Sequence, residues 1–136
     1  MSSTIPNTAD TGVAQRFLTA YGAHDWDALR ALLWEDATWT LPGDAVISGT
    51  AAGPEAIVAR VRHIVAGGVT TELLHVVTGQ DGVALLLRNT AEAADGRRLD
   101  EHLATLLRVR DGRIAGIETY LSDVPGMVAF FGRAGR

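Results

Sequence analysis

The second half of the chain alternates in a way the first half does not. From Thr71 to Asp123, runs rich in Val, Leu, Ile and Thr are interrupted three times by Asp-Gly, at Asp81-Gly82, Asp95-Gly96 and Asp111-Gly112. Asp-Gly between such runs is a hairpin signal. The pattern predicts a four-stranded antiparallel meander with one face free to cover a core or a pocket.

Upstream, the period is helical. Val13, Phe17, Leu18 and Tyr21 share a face, with Asp10 or Thr11 as the N-cap. A second short helix, capped by Asp25 or Asp27, carries Leu29, Leu32 and Leu33. Ala37 to Leu41 reads as a strand stopped by Pro42-Gly43, followed by a loop to Gly53 with an extended piece around Val46 and Ile47. Pro54 opens a third helix, Pro54 to Val65, with Ile57, Val61, Ile64 and Val65 as its apolar stripe and Gly67-Gly68 as its end. After Asp123 the chain turns at Pro125-Gly126 into a short apolar segment, Met127 to Phe131. Residues 1–9 form a polar, Pro-containing arm expected to be flexible, which leaves 10–136 as a single domain. Helices segregated from an antiparallel sheet make an α+β domain. A bent sheet wrapped over the helices leaves a cavity between the two layers, the default place for a ligand.

Composition removes several chemistries. The chain has 136 residues, enough for one substantial core, and no Cys, so it has neither disulfides nor thiolate ligands nor a thiol nucleophile. That fits a reducing compartment. All twelve basic residues are Arg, which excludes a lysine Schiff base. A net charge of −4, with both signs scattered, argues against a nucleic-acid footprint. No apolar run approaches a membrane span, and the first residues lack the basic and apolar regions of a secretory signal, so a cytoplasmic location is expected. None of the four His has metal-ligand spacing, and SGTAAG lacks the Lys of a phosphate loop. No metal and no cofactor are expected.

Three segments, LLWEDATWTLPGD, SGTAAGPEAI and LRVRDGRIAGIETYLSDV, resemble in their order the nuclear transport factor 2-like superfamily, in particular its SnoaL-like and ketosteroid isomerase-like members. The resemblance covers about Thr11 to Val124 and implies a cone-shaped α+β roll with a curved sheet over the N-terminal helices. It does not imply one reaction, because this fold hosts isomerases, epoxide hydrolases, polyketide cyclases, dehydratases and binding domains. Where the isomerases carry a carboxylate base this chain has Leu41; their oxyanion-hole tyrosine and protonated aspartate fall near Phe17 and Thr105. Arg88 matches by place the Arg of limonene-type epoxide hydrolases, whose flanking aspartates fall on Thr90 and Thr119. The acidic residue late in the last strand of SnoaL-like cyclases corresponds to Asp123.

Strand pairing decides which of these groups meet. Reading Asp95-Gly96 as a two-residue turn sets Arg88 opposite Leu103 and Thr90 opposite Glu101. A bulge at Gly112, which the resemblance favours, sets Leu103 opposite Thr119. The concave face then holds Arg88, Glu101 and Asp123 as candidate catalytic groups. Tyr21, Trp39, Leu41, Leu103, Thr105, Ile117, Thr119 and Leu121 form the candidate pocket wall. The other face, with Leu85, Leu87, Asn89, His102, Ala104 and Leu106, is apolar enough to call for a second cover, so a homodimer through the convex side is expected.

Two functions are open. One is a cofactor-independent acid/base enzyme, an isomerase, cyclase or hydrolase, acting on an apolar oxygenated metabolite such as a polyketide or terpenoid. The other is a non-catalytic ligand-binding or assembly module, in which Arg88 and Glu101 are an internal ion pair and Asp123 caps the turn into Pro125.

Overall fold

A computed structural model describes residues 8–135; the N-terminal arm expected over residues 1–9 lies almost wholly outside them. Helix α1 spans Thr8–Ala23 and α2 spans Trp26–Ala31, with Asp25 accepting from the Ala28 N–H as the N-cap of α2. Strands β1 (Leu33–Leu41) and β2 (Gly49–Ala52) precede α3 (Pro54–Ala66). Strands β3 (Thr70–Thr78), β4 (Gly82–Glu92), β5 (Arg98–Arg110) and β6 (Arg113–Leu121) then form the meander, and α4 (Val124–Phe131) closes the chain. The architecture is α+β: one curved sheet of six strands, in the order β2-β1-β6-β5-β4-β3, with the helices on its concave side.

Binary patterning explains which face is inside. Along β4 the odd-numbered residues from Val83 to Asn89 are buried and their even neighbours are not, the period of two of a strand with one covered face. Leu85 meets Leu29, Ile57, Val61, Leu107, Ile114 and Met127 in a single core. Full burial of each such side chain stabilises the fold by about 1.5–3 kcal/mol. Gly82 shows how tightly β4 and β5 approach, since a Cβ there would stand 2.0 Å from the Leu107 carbonyl oxygen.

Several expectations are corrected. Helix α2 stops at Ala31, and Leu33 already belongs to β1, four residues before the expected strand start. The cause is non-local: β1 pairs in parallel with β6, and the Ile114 N–H donates to Leu32 O at 2.7 Å. The second short strand lies at Gly49–Ala52 rather than around Val46 and Ile47, paired with β1.

Two turns differ from their expected geometry, with unequal consequences. At Asp95-Gly96 the loop holds three residues, Ala94 to Gly96, closed by Ala93 N–H to Arg97 O, with Gly96 at φ +92°. Pairing is therefore shifted by one: Arg88 faces His102, Asn89 faces Glu101 and Thr90 faces Asp100. Because side chains alternate, a shift of one moves the whole of β4 to the opposite face. At Asp111-Gly112 both residues have positive φ, as a two-residue type I′ turn requires. The bulge sits beyond it, at Ala115 opposite Arg108 and Val109, and Leu103 pairs with Leu121 rather than Thr119. That displacement is two residues, so faces are preserved.

Candidate functional site

The concave face of β4, β5 and β6 meets α1 and α4 around a small cavity of about 50 Å³. Its wall includes Tyr21, Trp39, Leu41, Leu103, Thr105, Thr119 and Leu121 from the expected set, together with Glu101. Ile117 is on the same face, paired with Trp39 and Leu107, but lies deeper, in the packed core. The sequence reading missed Asn89, Leu87 and Thr71 as well as the helical residues Leu18, Ile64, Met127 and Phe131. For Asn89 and Leu87 the signal was the loop length at Gly96; for the helical residues nothing local distinguishes a cavity wall from ordinary core. Phe17, Leu41, Thr105 and Thr119, the positions matched to working groups of related enzymes, all line the cavity, whereas Thr90 pairs with Asp100 on the other face.

Glu101 is the chemically exceptional member. It is 3% exposed, and its Oε1 has no hydrogen-bond partner among the described residues. Burial away from water disfavours the carboxylate, and the nearby negative charge of Asp123 disfavours it further, so the acid is pushed up to about 7. Asp123 itself is exposed and N-caps α4, its Oδ1 accepting from the Gly126 N–H at 3.0 Å. It acts on Glu101 only through its charge.

Arg88 is not in the site. It lies on the convex face in a bidentate pair with Asp100, at 2.9 and 2.8 Å, and this contact holds the Asp100 carboxyl below its usual range. The expected convergence of Arg88, Glu101 and Asp123 is thus replaced by a buried Glu101 with an unpaired Oε1, while Asp123 caps α4 and is felt at Glu101 only through its charge.

The remaining polar groups of the cavity are organised. Trp39 Nε1 donates to Thr119 Oγ1 at 3.0 Å, and Thr119 shares a hydrogen bond of 3.2 Å with Thr105. Arg60, on α3, fixes this wall from behind. Its Nη1 donates to Trp39 O, its Nη2 to Ser48 O and Gly49 O, and its guanidinium covers the Trp39 ring. On the other side of the cavity, Thr71 Oγ1 donates to Asn89 Oδ1 at 2.7 Å. Tyr21 stands beside Thr71, and burial pushes its phenol up to about 12, so it is a neutral hydroxyl at physiological pH.

A larger concavity, about 570 Å³, lies on the convex side around Thr38, Thr40, Ala84, Leu106, Arg108 and Glu118. It is an open trough whose charged residues are exposed, and it contains no buried unpaired group. Size favours the trough; chemistry favours the small cavity, because only there is a titratable group withheld from water.

Known proteins agree with this architecture. Residues 14–117 match the family model described as the SnoaL-like domain. An uncharacterized protein of Mycobacterium tuberculosis is 25% identical over 126 residues, covering 90% of this chain and 96% of the relative. The structure of Bal32a, from a soil-derived mobile gene cassette, superposes with a TM-score of 0.83 at 31% identity, covering 90% of this chain and 96% of that one. TerC, co-crystallised with polyporic acid, shares the fold with a TM-score of 0.75 at 17% identity, over 90% and 95% of the two chains. A curved sheet closing on three N-terminal helices, with the family match across most of its length, places this chain in the SnoaL-like domain family.

Proposed function

We propose that the concave cavity binds the reactive end of an apolar, oxygenated metabolite of the polyketide or terpenoid kind and that Glu101 moves a proton there without a cofactor. One observation carries this reading: a carboxyl group 3% exposed, with an unpartnered oxygen, among Leu, Phe and Met side chains. A structural glutamate would be paired, because an unsatisfied buried acid costs stability. An acid poised near neutrality serves as base and then as acid within one turnover. Such a step is shared by isomerases and aldol-type cyclases. That TerC, a protein of the same fold, was co-crystallised with polyporic acid supports a small-molecule ligand.

The test is a screen of enolisable ketones and epoxides against the wild-type chain and Glu101→Gln. Turnover that drops about 10²–10⁴-fold in the variant supports the proposal. Turnover that survives removes Glu101 from the chemistry.

The second reading, a binding or assembly module, is favoured by the cavity's size, since drug-sized ligands need about 300 Å³ or more. Ligand binding with no conversion of any tested compound would support it. In either reading, a second copy of the chain covers the convex trough, with Leu106 and Tyr120 in the interface; both are exposed, Tyr120 at 56%. A cytoplasmic location completes the proposal, supported by the Cys-free composition. Among the described residues no helix is long and apolar enough to cross a membrane.

A further inference from the structure

Asn89 and Glu101 face each other directly across β4 and β5. Opposed antiparallel residues hold their Cβ atoms about 4.5–5.5 Å apart, so these two side chains enter the cavity side by side. Both are buried, Asn89 at 8% exposure. Neither bonds the other. Glu101 Oε1 has no partner, and the side-chain bond of Asn89 goes to β3, where its Oδ1 accepts from Thr71.

Among the donors of the cavity wall, the Asn89 amide is the one that stands directly opposite Glu101. The Thr71 proton is committed to Asn89, and the buried Tyr21 hydroxyl stands beside Thr71. Across the cavity, the Trp39 N–H is committed to Thr119. The amide NH₂ of Asn89 has two donors and, among the described residues, no acceptor for either. Its carbonyl end is anchored, which fixes the direction of the amide plane. The hydrogen bond that Thr71 donates into that carbonyl polarises the amide and makes its N–H groups stronger donors.

From this juxtaposition we propose that Asn89 is a further catalytic residue, whose amide N–H binds the oxygen of an enolisable ketone while Glu101 Oε1 takes the proton from the adjoining carbon. The inference rests on the proton-transfer role of Glu101 and names the substrate class for it. The step balances. The C–H electron pair becomes the C=C bond, the carbonyl π pair moves onto the oxygen held by Asn89, and the proton on Glu101 returns to the same or a conjugated carbon. Thr71 is a positioning residue, acting through the Asn89 amide. Water is kept from the enolate by Leu87, Leu103 and Phe131.

The experiment uses 2-indanone, an apolar ketone with acidic α-hydrogens, and reads three signals: its bound carbonyl stretch, its α-deuterium exchange in D₂O, and the Asn89 side-chain ¹⁵N resonance. In the wild-type chain, binding lowers the carbonyl frequency and moves the Asn89 resonance, which needs no variant. Asn89→Leu and Asn89→Asp lose the carbonyl shift and slow exchange about 10²-fold, with 2-indanone affinity changed only a few-fold. Thr71→Val gives a partial loss of the shift, which a merely structural Thr71 would not. A wild-type carbonyl band that does not move, a shift that survives Asn89→Leu, a shift lost in Tyr21→Phe instead, or no binding of 2-indanone overturns the proposal. Glu101→Gln separates it from the reading on which it rests: that variant keeps the carbonyl shift and loses exchange. Exchange that persists in Glu101→Gln alongside an Asn89-dependent shift overturns the role of Glu101 and leaves Asn89 as the ketone-binding group.

Discussion

Asp100 and Glu101 are adjacent carboxylates on one strand with opposite fates. Asp100 points to the convex side, half exposed, and meets the guanidinium of Arg88, which favours its charged form. Glu101 points into the concave cavity, meets no cation, and is pushed toward its neutral form. Sequence neighbours with nearly the same chemistry thus become a stabilised anion and a poised acid. The difference is made by the side of the sheet, because the two faces have different dielectric surroundings and different partners. In this chain the strand alternation separates a solvated ion pair from a buried acid, one residue at a time.

The largest effect that would sharpen the contrast is in stability against pH. Between the ordinary carboxyl value of 4.5 and about 7, the folded chain keeps the Glu101 proton that the unfolded chain releases. Stability therefore falls as pH rises through that window and flattens above it. The size is about 2 kcal/mol, discounted for solvent near the cavity mouth. Denaturant unfolding of wild type and Glu101→Gln at pH 5 and pH 8 checks this: the variant should lose the fall and be the more stable at pH 8. Parallel profiles for the two proteins would mean that Glu101 is not the buried acid described.

Next in size is the convex side. Leu106→Glu places a charge in the proposed interface between copies, and should weaken self-association at least tenfold in sedimentation equilibrium while leaving 2-indanone binding unchanged. A wild-type chain that is monomeric at high concentration would remove the interface. A smaller change tests the loop that assigns the faces. Gly96→Ala puts a Cβ at φ +92°, where L-residues are strained, and should cost about 1 kcal/mol in unfolding free energy. No cost would argue that the three-residue loop is not held as described. Smallest of all is Arg88→Gln. Its pair with Asp100 is solvent-exposed and screened, so thermal midpoint and ligand affinity should barely move. A large loss of ligand affinity would place Arg88 back in the site.

Much of the site was legible before the fold was known. Glu101, Leu103 and Thr105 share one face because they sit on one strand, and no pairing choice separates them. Trp39, Leu41, Thr119 and Leu121 followed from the same alternation on their own strands. The largest error was on β4, where a loop of three residues rather than two exchanged Arg88 for Asn89 and removed the expected ion pair; Asp123, expected on the same face, is an exposed cap of α4. Asp-Gly is compatible with both loops: Gly96 supplies the positive φ either way, and the choice depends on how the flanking strands twist against their neighbours.

By itself the sequence determined the order of the first three helices and the meander strands, the start of α3 at Pro54, and the absence of thiol and lysine chemistry. These depend on local period, turn residues and composition, which act over a few positions. Tertiary structure alone decided the parallel pairing of β1 with β6, the placement of the bulge at Ala115, and the burial of Glu101 without a partner. Each depends on groups far apart in the chain. Ile114 reaches back to Leu32, Trp39 meets Thr119, and the charge of Asp123 is felt at Glu101. The acidity of a carboxyl group is set by everything packed around it, and that assembly exists only once the chain has closed.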